Sequence, residues 1–188
     1  LSVESDTDCL RHQLVFGRWV LPVFLVHGFG IAPFCATVFL SASVVPACRE
    51  VDTDAMIVEM EKRSIAKIFE ESGEPYFRSV ETGTLDTLAD QKPCIVSCGG
   101  GMAMREENVA KMKKIGKVIF LTATPETIYS HVKNSTDRPL LNGNMNVPYI
   151  KKLMDEREPK YKAAADILIQ TDGCNPAKVA DKIIEALQ

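Results

Sequence analysis

The segment Ser97-Cys98-Gly99-Gly100-Gly101 directly follows the apolar residues 93–96. Three glycines after a buried strand let a backbone approach a ligand with no Cβ in the way. Arginines flank this run in sequence: Arg78 in Tyr76-Phe77-Arg78, Arg138 in Asp137-Arg138-Pro139-Leu140-Leu141, and Arg157 in Glu156-Arg157-Glu158-Pro159. A guanidinium fork matches the two oxygens of a carboxylate or phosphate. The set reads as a binding site for a small anionic molecule. Asp52 and Asp54 alternate as residues at a strand end do, which would put both carboxylates on one side, although alone the pair is also an ordinary strand-to-helix turn. Taken singly, each residue has a plainer use. Arg78 suits a surface arginine after a buried aromatic, and Arg157 one charge on a solvated helix face with Lys151, Lys152, Asp155 and Glu156.

Composition narrows the classes. The 188 residues are 46% hydrophobic, enough for one globular domain with an ample core. The net charge of −3 provides no overall basic field to recruit nucleic acid, so an anion must be bound by placed arginines. The cysteines, Cys9, Cys35, Cys48, Cys94, Cys98 and Cys174, lack metal-ligand spacing, and Cys94 and Cys98 read as small buried thiols of a reducing cytoplasm. Residues 19–48 carry no formal charge, yet Pro22, Gly28, Gly30, Pro33 and Pro46 interrupt them. The longest clean run, 34–45, is too short for about 30 Å of hydrocarbon. A signal peptide fits poorly because Glu4, Asp6 and Asp8 precede Arg11, and the absence of an initiator Met suggests a trimmed start.

The elements that must hold these residues alternate between strand-like and helix-like from Val51 onward, predicting βαβ units and a mainly parallel sheet. Helical spacing runs from Met56 to Phe69 and breaks near Ser72-Gly73, and a second helix covers 80–88. A strand at 93–96 leads into the glycines. Residues 105–115 read as a helix punctuated by Gly116, and 118–121 as a strand. Thr124-Pro125-Glu126 opens a helix with a cap and a first-turn Pro. Residues 134–147 form a lid-like loop, 148–157 a helix ended by Pro159, 166–170 a last strand, and Asn175-Pro176 starts a final helix. The expected architecture is a three-layer α/β domain spanning 1–188, with an atypical segment at 1–50 and a regular body at 51–188.

At this point the residues resemble the shikimate kinase family over roughly three quarters of the chain. The resemblance rests on Val51-Asp52-Thr53-Asp54, Ser64-Ile65-Ala66-Lys67-Ile68-Phe69, Gly73-Glu74-Pro75-Tyr76-Phe77-Arg78, Gly99-Gly100-Gly101, Arg138-Pro139-Leu140-Leu141 and Arg157-Glu158-Pro159-Lys160-Tyr161, in family order. It implies a P-loop kinase fold and transfer of phosphate from ATP, with Mg²⁺, to the 3-hydroxyl of shikimate in aromatic amino-acid biosynthesis. It further implies that Arg78 and Arg157 grip the substrate carboxylate. Gly100 and Gly101 would offer backbone contacts, and Gly99 would allow the turn. Asp54 would draw the proton from the attacking hydroxyl. Asp52 would stand near Mg²⁺ through water, and Arg138 would close over the phosphates. His131 lies where relatives place an adenine-stacking arginine. A cytoplasmic monomer with no nucleic-acid or membrane partner is expected.

The first fifty residues depart from that pattern. A phosphate cradle of this class needs G-x-x-x-x-G-K-[ST], whose backbone N–H groups, lysine and hydroxyl hold the phosphates and Mg²⁺. After Val23-Phe24-Leu25-Val26, Gly28 and Phe29 suit the opening of that loop. The second glycine, lysine and hydroxyl positions hold Pro33, Phe34 and Cys35. Proline donates no N–H, phenylalanine has no charge, and a thiol is a poor ligand for a hard cation. The first lysine of the chain is Lys62. Phosphoryl transfer is therefore expected to be impaired. Two explanations stand: a local frameshift in the coding sequence, or a pseudokinase that keeps the substrate pocket. A non-catalytic binding protein and another small-metabolite kinase are the alternative functions.

Overall fold

In the computed structural model, the described residues are 23–27, 49–90, 94–133 and 146–187. Gly28, Pro33, Phe34, Cys35, Arg138 and nearly all of the expected lid lie outside them. Five parallel strands form one sheet in the order β2-β3-β1-β4-β5: β1 (Val23–His27), β2 (Arg49–Asp52), β3 (Cys94–Gly99), β4 (Lys117–Thr122) and β5 (Ile167–Gln170). Central β1 pairs with β3 on one side and β4 on the other, so the chain's connections change direction beside β1. In open parallel sheets the crevice beyond the carboxyl ends at such a switch is where ligands bind. The register brings His27 opposite Gly99 and Asp52 opposite Ser97, which collects these strand ends at one edge.

The three layers follow from alternation along the strands. Phe24, Val26, Val96, Val118 and Phe120 face one way, against Leu85 and Leu88 of α2 (Ile65–Ala89), Met112 of α3 (Glu106–Ile115), and Tyr161 and Ala164 of α5 (Val147–Ala164). Val23, Leu25, Ile119, Leu121 and Ile169 face the other way, against Val179, Ala180 and Ile183 of α6 (Pro176–Leu187). The remaining helices are α1 (Thr53–Glu61) and α4 (Pro125–Val132).

Several expectations need correction. The helical pattern at 56–69 is two helices, because Lys62 adopts a left-handed φ of 54° and Ser64 caps the next helix by accepting from the Lys67 N–H. The break at Gly73 is present, with φ of 78°, but helix resumes well before residue 80 and carries Arg78. Asp52 and Asp54 are not successive same-face strand residues: Asp52 ends β2, and Asp54 lies in the first turn of α1. Gly116 does close α3, but in extended backbone that any residue can adopt. Pro159 does not end its helix. Its ring removes one helical N–H, yet Tyr161 stacks on Phe120 with ring centroids 4.5 Å apart, and Ala164 is buried beyond it. That packing carries α5 through the proline.

Candidate anion site at the carboxyl edge of the sheet

Asp52 starts the site by capping α1: its Oδ1 accepts from the Ala55 N–H at 2.9 Å. A side-chain acceptor at this position satisfies an N–H that the helix cannot. The buried Thr53 hydroxyl donates to the Ser97 carbonyl at 3.2 Å, fastening α1 to the end of β3. Asp54 is thereby held at the edge where the glycine run begins, with its side chain exposed.

Arg78 comes to that edge on the second part of α2. An ideal Cβ built on Gly101 would lie 2.5 Å from Arg78 Nη1, and 3.2 and 3.3 Å from Cζ and Nη2. Gly101 has ordinary right-handed helical backbone, φ −61° and ψ −34°, so its missing Cβ matters for space and not for conformation. The missing side chain makes room for the guanidinium. Gly99, expected to permit the turn, closes β3, and a Cβ there would meet nothing within 4 Å among the described residues. Gly100 follows in the turn itself.

Two carboxylates orient the guanidinium. Glu81 accepts from Nη1 at 3.0 and 3.1 Å and is 4% exposed. Glu74, at the surface, accepts from Nε at 3.1 Å and Nη2 at 3.0 Å. Burial pushes the Glu81 carboxyl above its ordinary range, the charge of Asp54 adds to this, and Arg78 and Arg105 oppose it. Burial also works against the Arg78 charge, but Glu81 and Glu74 outweigh it and raise the guanidinium's pKa. Asp54 is near enough for its charge to act on Glu81, which holds Arg78 beside Gly101. Glu81 went unrecognised in the sequence; the available signal was its spacing of three from Arg78 on one helix face.

Arg157 is half-buried on α5, one turn before Tyr161. Its helix reaches the glycine segment through Lys160, whose Nζ donates to the Met104 carbonyl at 3.4 Å. Met104 ends the short 3₁₀ turn Met102–Met104 that follows Gly101. His131 is exposed in the last turn of α4. The start of α4 is tied to the loop after β5 by Asp172, which accepts from the Thr124 N–H at 2.9 Å and from the Thr124 and Thr127 hydroxyls at 2.7 and 2.6 Å. A separate cavity of about 370 Å³, lined by Phe120, Ile128, Met154 and Leu168 between β4, α4 and α5, contains none of the expected site residues. Lys151 and Lys162 also line it, but each is paired with a carboxylate of its own helix, Asp155 and Glu158.

Solved structures share this fold. Shikimate kinase from Acinetobacter baumannii, in complex with shikimate, superposes with a TM-score of 0.78 at 27% identity, covering 90% of this chain and 94% of that one. Shikimate kinase from Aquifex aeolicus superposes with a TM-score of 0.71 at 30% identity, covering 88% and 95%. The parallel sheet and its flanking helices thus have the fold of a small-molecule kinase of the P-loop type. A family model for shikimate kinase matches residues 43–188. A shikimate kinase of Dehalococcoides mccartyi is 40% identical over 138 residues, 73% of this chain and 78% of that protein. This chain belongs to the shikimate kinase family.

Proposed function

We propose that this chain binds shikimate and belongs to ATP-dependent phosphorylation of its 3-hydroxyl. The observation that carries the reading is the Arg78 guanidinium, lodged in the space left by Gly101 and braced by buried Glu81. A fork so fixed suits a carboxylate, and the exposed Glu74 occupies its Nε–Nη2 edge. In this reading Arg157 is the second carboxylate ligand, and the Gly100 and Gly101 backbone completes the cradle beyond Gly99. Asp54 takes the proton as the hydroxyl oxygen bonds to the γ-phosphorus and the bridging oxygen of ADP leaves. Arg138 closes over the transferred group. Gly28 and His131 serve the nucleotide.

The Mg²⁺ that accompanies ATP would neutralise phosphate charge. Asp52, exposed and partly engaged as a helix cap, suits a contact to that ion through water. No group of three or more His, Cys, Asp or Glu among the described residues is arranged to hold a metal by itself. The reading includes a monomeric, cytoplasmic protein with no nucleic-acid or membrane partner. No described helix is long and apolar enough to cross a membrane.

Pro33, Phe34 and Cys35 replace groups that ordinarily hold the phosphates, and one lost preorganised donor costs about 10²–10³ in acyl-transfer enzymes. These residues favour, as a second reading, a shikimate-binding protein without phosphoryl transfer. Calorimetry with shikimate and a coupled ADP-release assay separate the outcomes. Shikimate binding with turnover far below about 1–100 s⁻¹ is expected. Turnover within that range overturns the impairment, and absence of shikimate binding overturns the assignment.

A further inference from the structure

We propose that Arg105 is a positioning residue for the anion site, holding the helix that carries Arg78 in register with the glycine turn. Arg105 immediately follows the 3₁₀ turn after Gly101 and precedes α3. It reaches back to the other wall of the site: Nη1 donates to the Arg78 carbonyl at 2.9 Å and to the Thr82 hydroxyl at 3.0 Å. Thr82 in turn donates to Oδ1 of the fully buried Asn108 at 2.7 Å. One guanidinium therefore joins the segment bearing the glycines to the backbone of the residue that fills their space.

The tolerance at this junction is small. Gly101 and the Arg78 guanidinium pack so closely that one added carbon would collide, and geometry of this kind is sensitive to shifts well below 1 Å. Glu81 fixes the end of the Arg78 side chain, whereas Arg105 fixes where that side chain begins. Its charge also opposes the burial that disfavours ionised Glu81. Arg105 thus acts on the ligand only through Arg78, and the inference rests on the reading of Arg78 given above.

Calorimetry with shikimate alone, without nucleotide, tests it on the full chain. Arg105→Met is expected to weaken binding about tenfold. Arg105→Lys, keeping the charge and a donor, should return to within about threefold of the parent. Thr82→Val, which removes one of the two acceptors, should lose about threefold and serves if Arg105→Met does not fold. In an Arg78→Lys background, Arg105→Met should add less than about twofold, because coupled residues do not add. Unchanged affinity in both Arg105→Met and Thr82→Val overturns the proposal. So does a full tenfold further loss in the double variant, which would mean a general structural role. If Arg78→Lys itself leaves binding unchanged, the reading of the site falls first and this inference with it.

Discussion

Glu81, which braces Arg78 within α2, and Asp172, which ties the start of α4 to the loop after β5, are carboxylates in opposite electrostatic settings. Glu81 is almost fully buried, and burial outweighs its guanidinium partner, so its carboxyl is pushed up. Asp172 also loses some hydration, but hydrogen bonds from Thr127 and Thr124 outweigh that loss and hold its carboxyl far below the ordinary range. Asp172 is therefore a net stabiliser in its charged form, while burial works against the charge of Glu81. Carboxylates kept in such settings are characteristic of sites that bind or react. The contrast separates the corner proposed to hold the ligand from one that only fastens the fold.

The largest expected effect is at Arg78. Arg78→Met removes the charge-assisted bonds and should weaken shikimate binding roughly 100-fold, since hydrogen bonds to charged groups are worth about 1.5–3 kcal/mol each. Isothermal calorimetry reads it directly, and a loss below about threefold would erase the distinction between the corners. Next comes Glu81→Gln, expected to cost about tenfold by loosening the guanidinium. Its signature is in the pH profile. Because the folded pKa of Glu81 is raised, its charge disappears on acidification earlier than an ordinary carboxylate's, and affinity should fall with it. In Glu81→Gln that acid limb should move to lower pH.

Gly101→Ala should be milder, since the Arg78 side chain can shift at about 0.5–1.5 kcal/mol of rotamer strain. A two- to tenfold weaker shikimate affinity with an unchanged melting temperature is expected. Asp172→Asn should leave shikimate affinity within about twofold and instead lower stability by about 1 kcal/mol, discounted for its partial exposure. The sign follows from linkage: a depressed carboxylate contributes stability above its unfolded pKa and loses it as pH falls through the folded value. The gap between parent and Asp172→Asn should therefore close in strong acid. For Glu81 the sign reverses, stability falling as pH rises from its unfolded to its folded pKa. Urea melts across pH check both.

Much of the fold could be read from local pattern because each buried strand is an apolar run with clear punctuation. Thr124 caps α4 as expected, accepting from the Thr127 N–H at 3.3 Å, and Asn175 caps α6 by accepting from the Lys178 N–H at 2.9 Å. Local rules failed where a distant contact decided. Pro159 is an ordinary stop signal until Tyr161 finds Phe120 across 41 residues of sequence. Asp52 was read through strand alternation, although an Asp before a helical run is also a cap signal. In the site, arginines and glycines were visible by residue type. Their supports, Glu81 and Arg105, looked like ordinary helix charges, because burial and reach across the site do not register in spacing.

The fit of Arg78 against Gly101 makes positions 78 and 101 a single shared volume, divided between a long cationic side chain and none at all. Any enlargement at 101 has to be matched by shortening or redirection at 78. Across related chains the two positions should therefore vary together or not at all, with a bulkier residue at the turn marking a protein that has given up its carboxylate anchor.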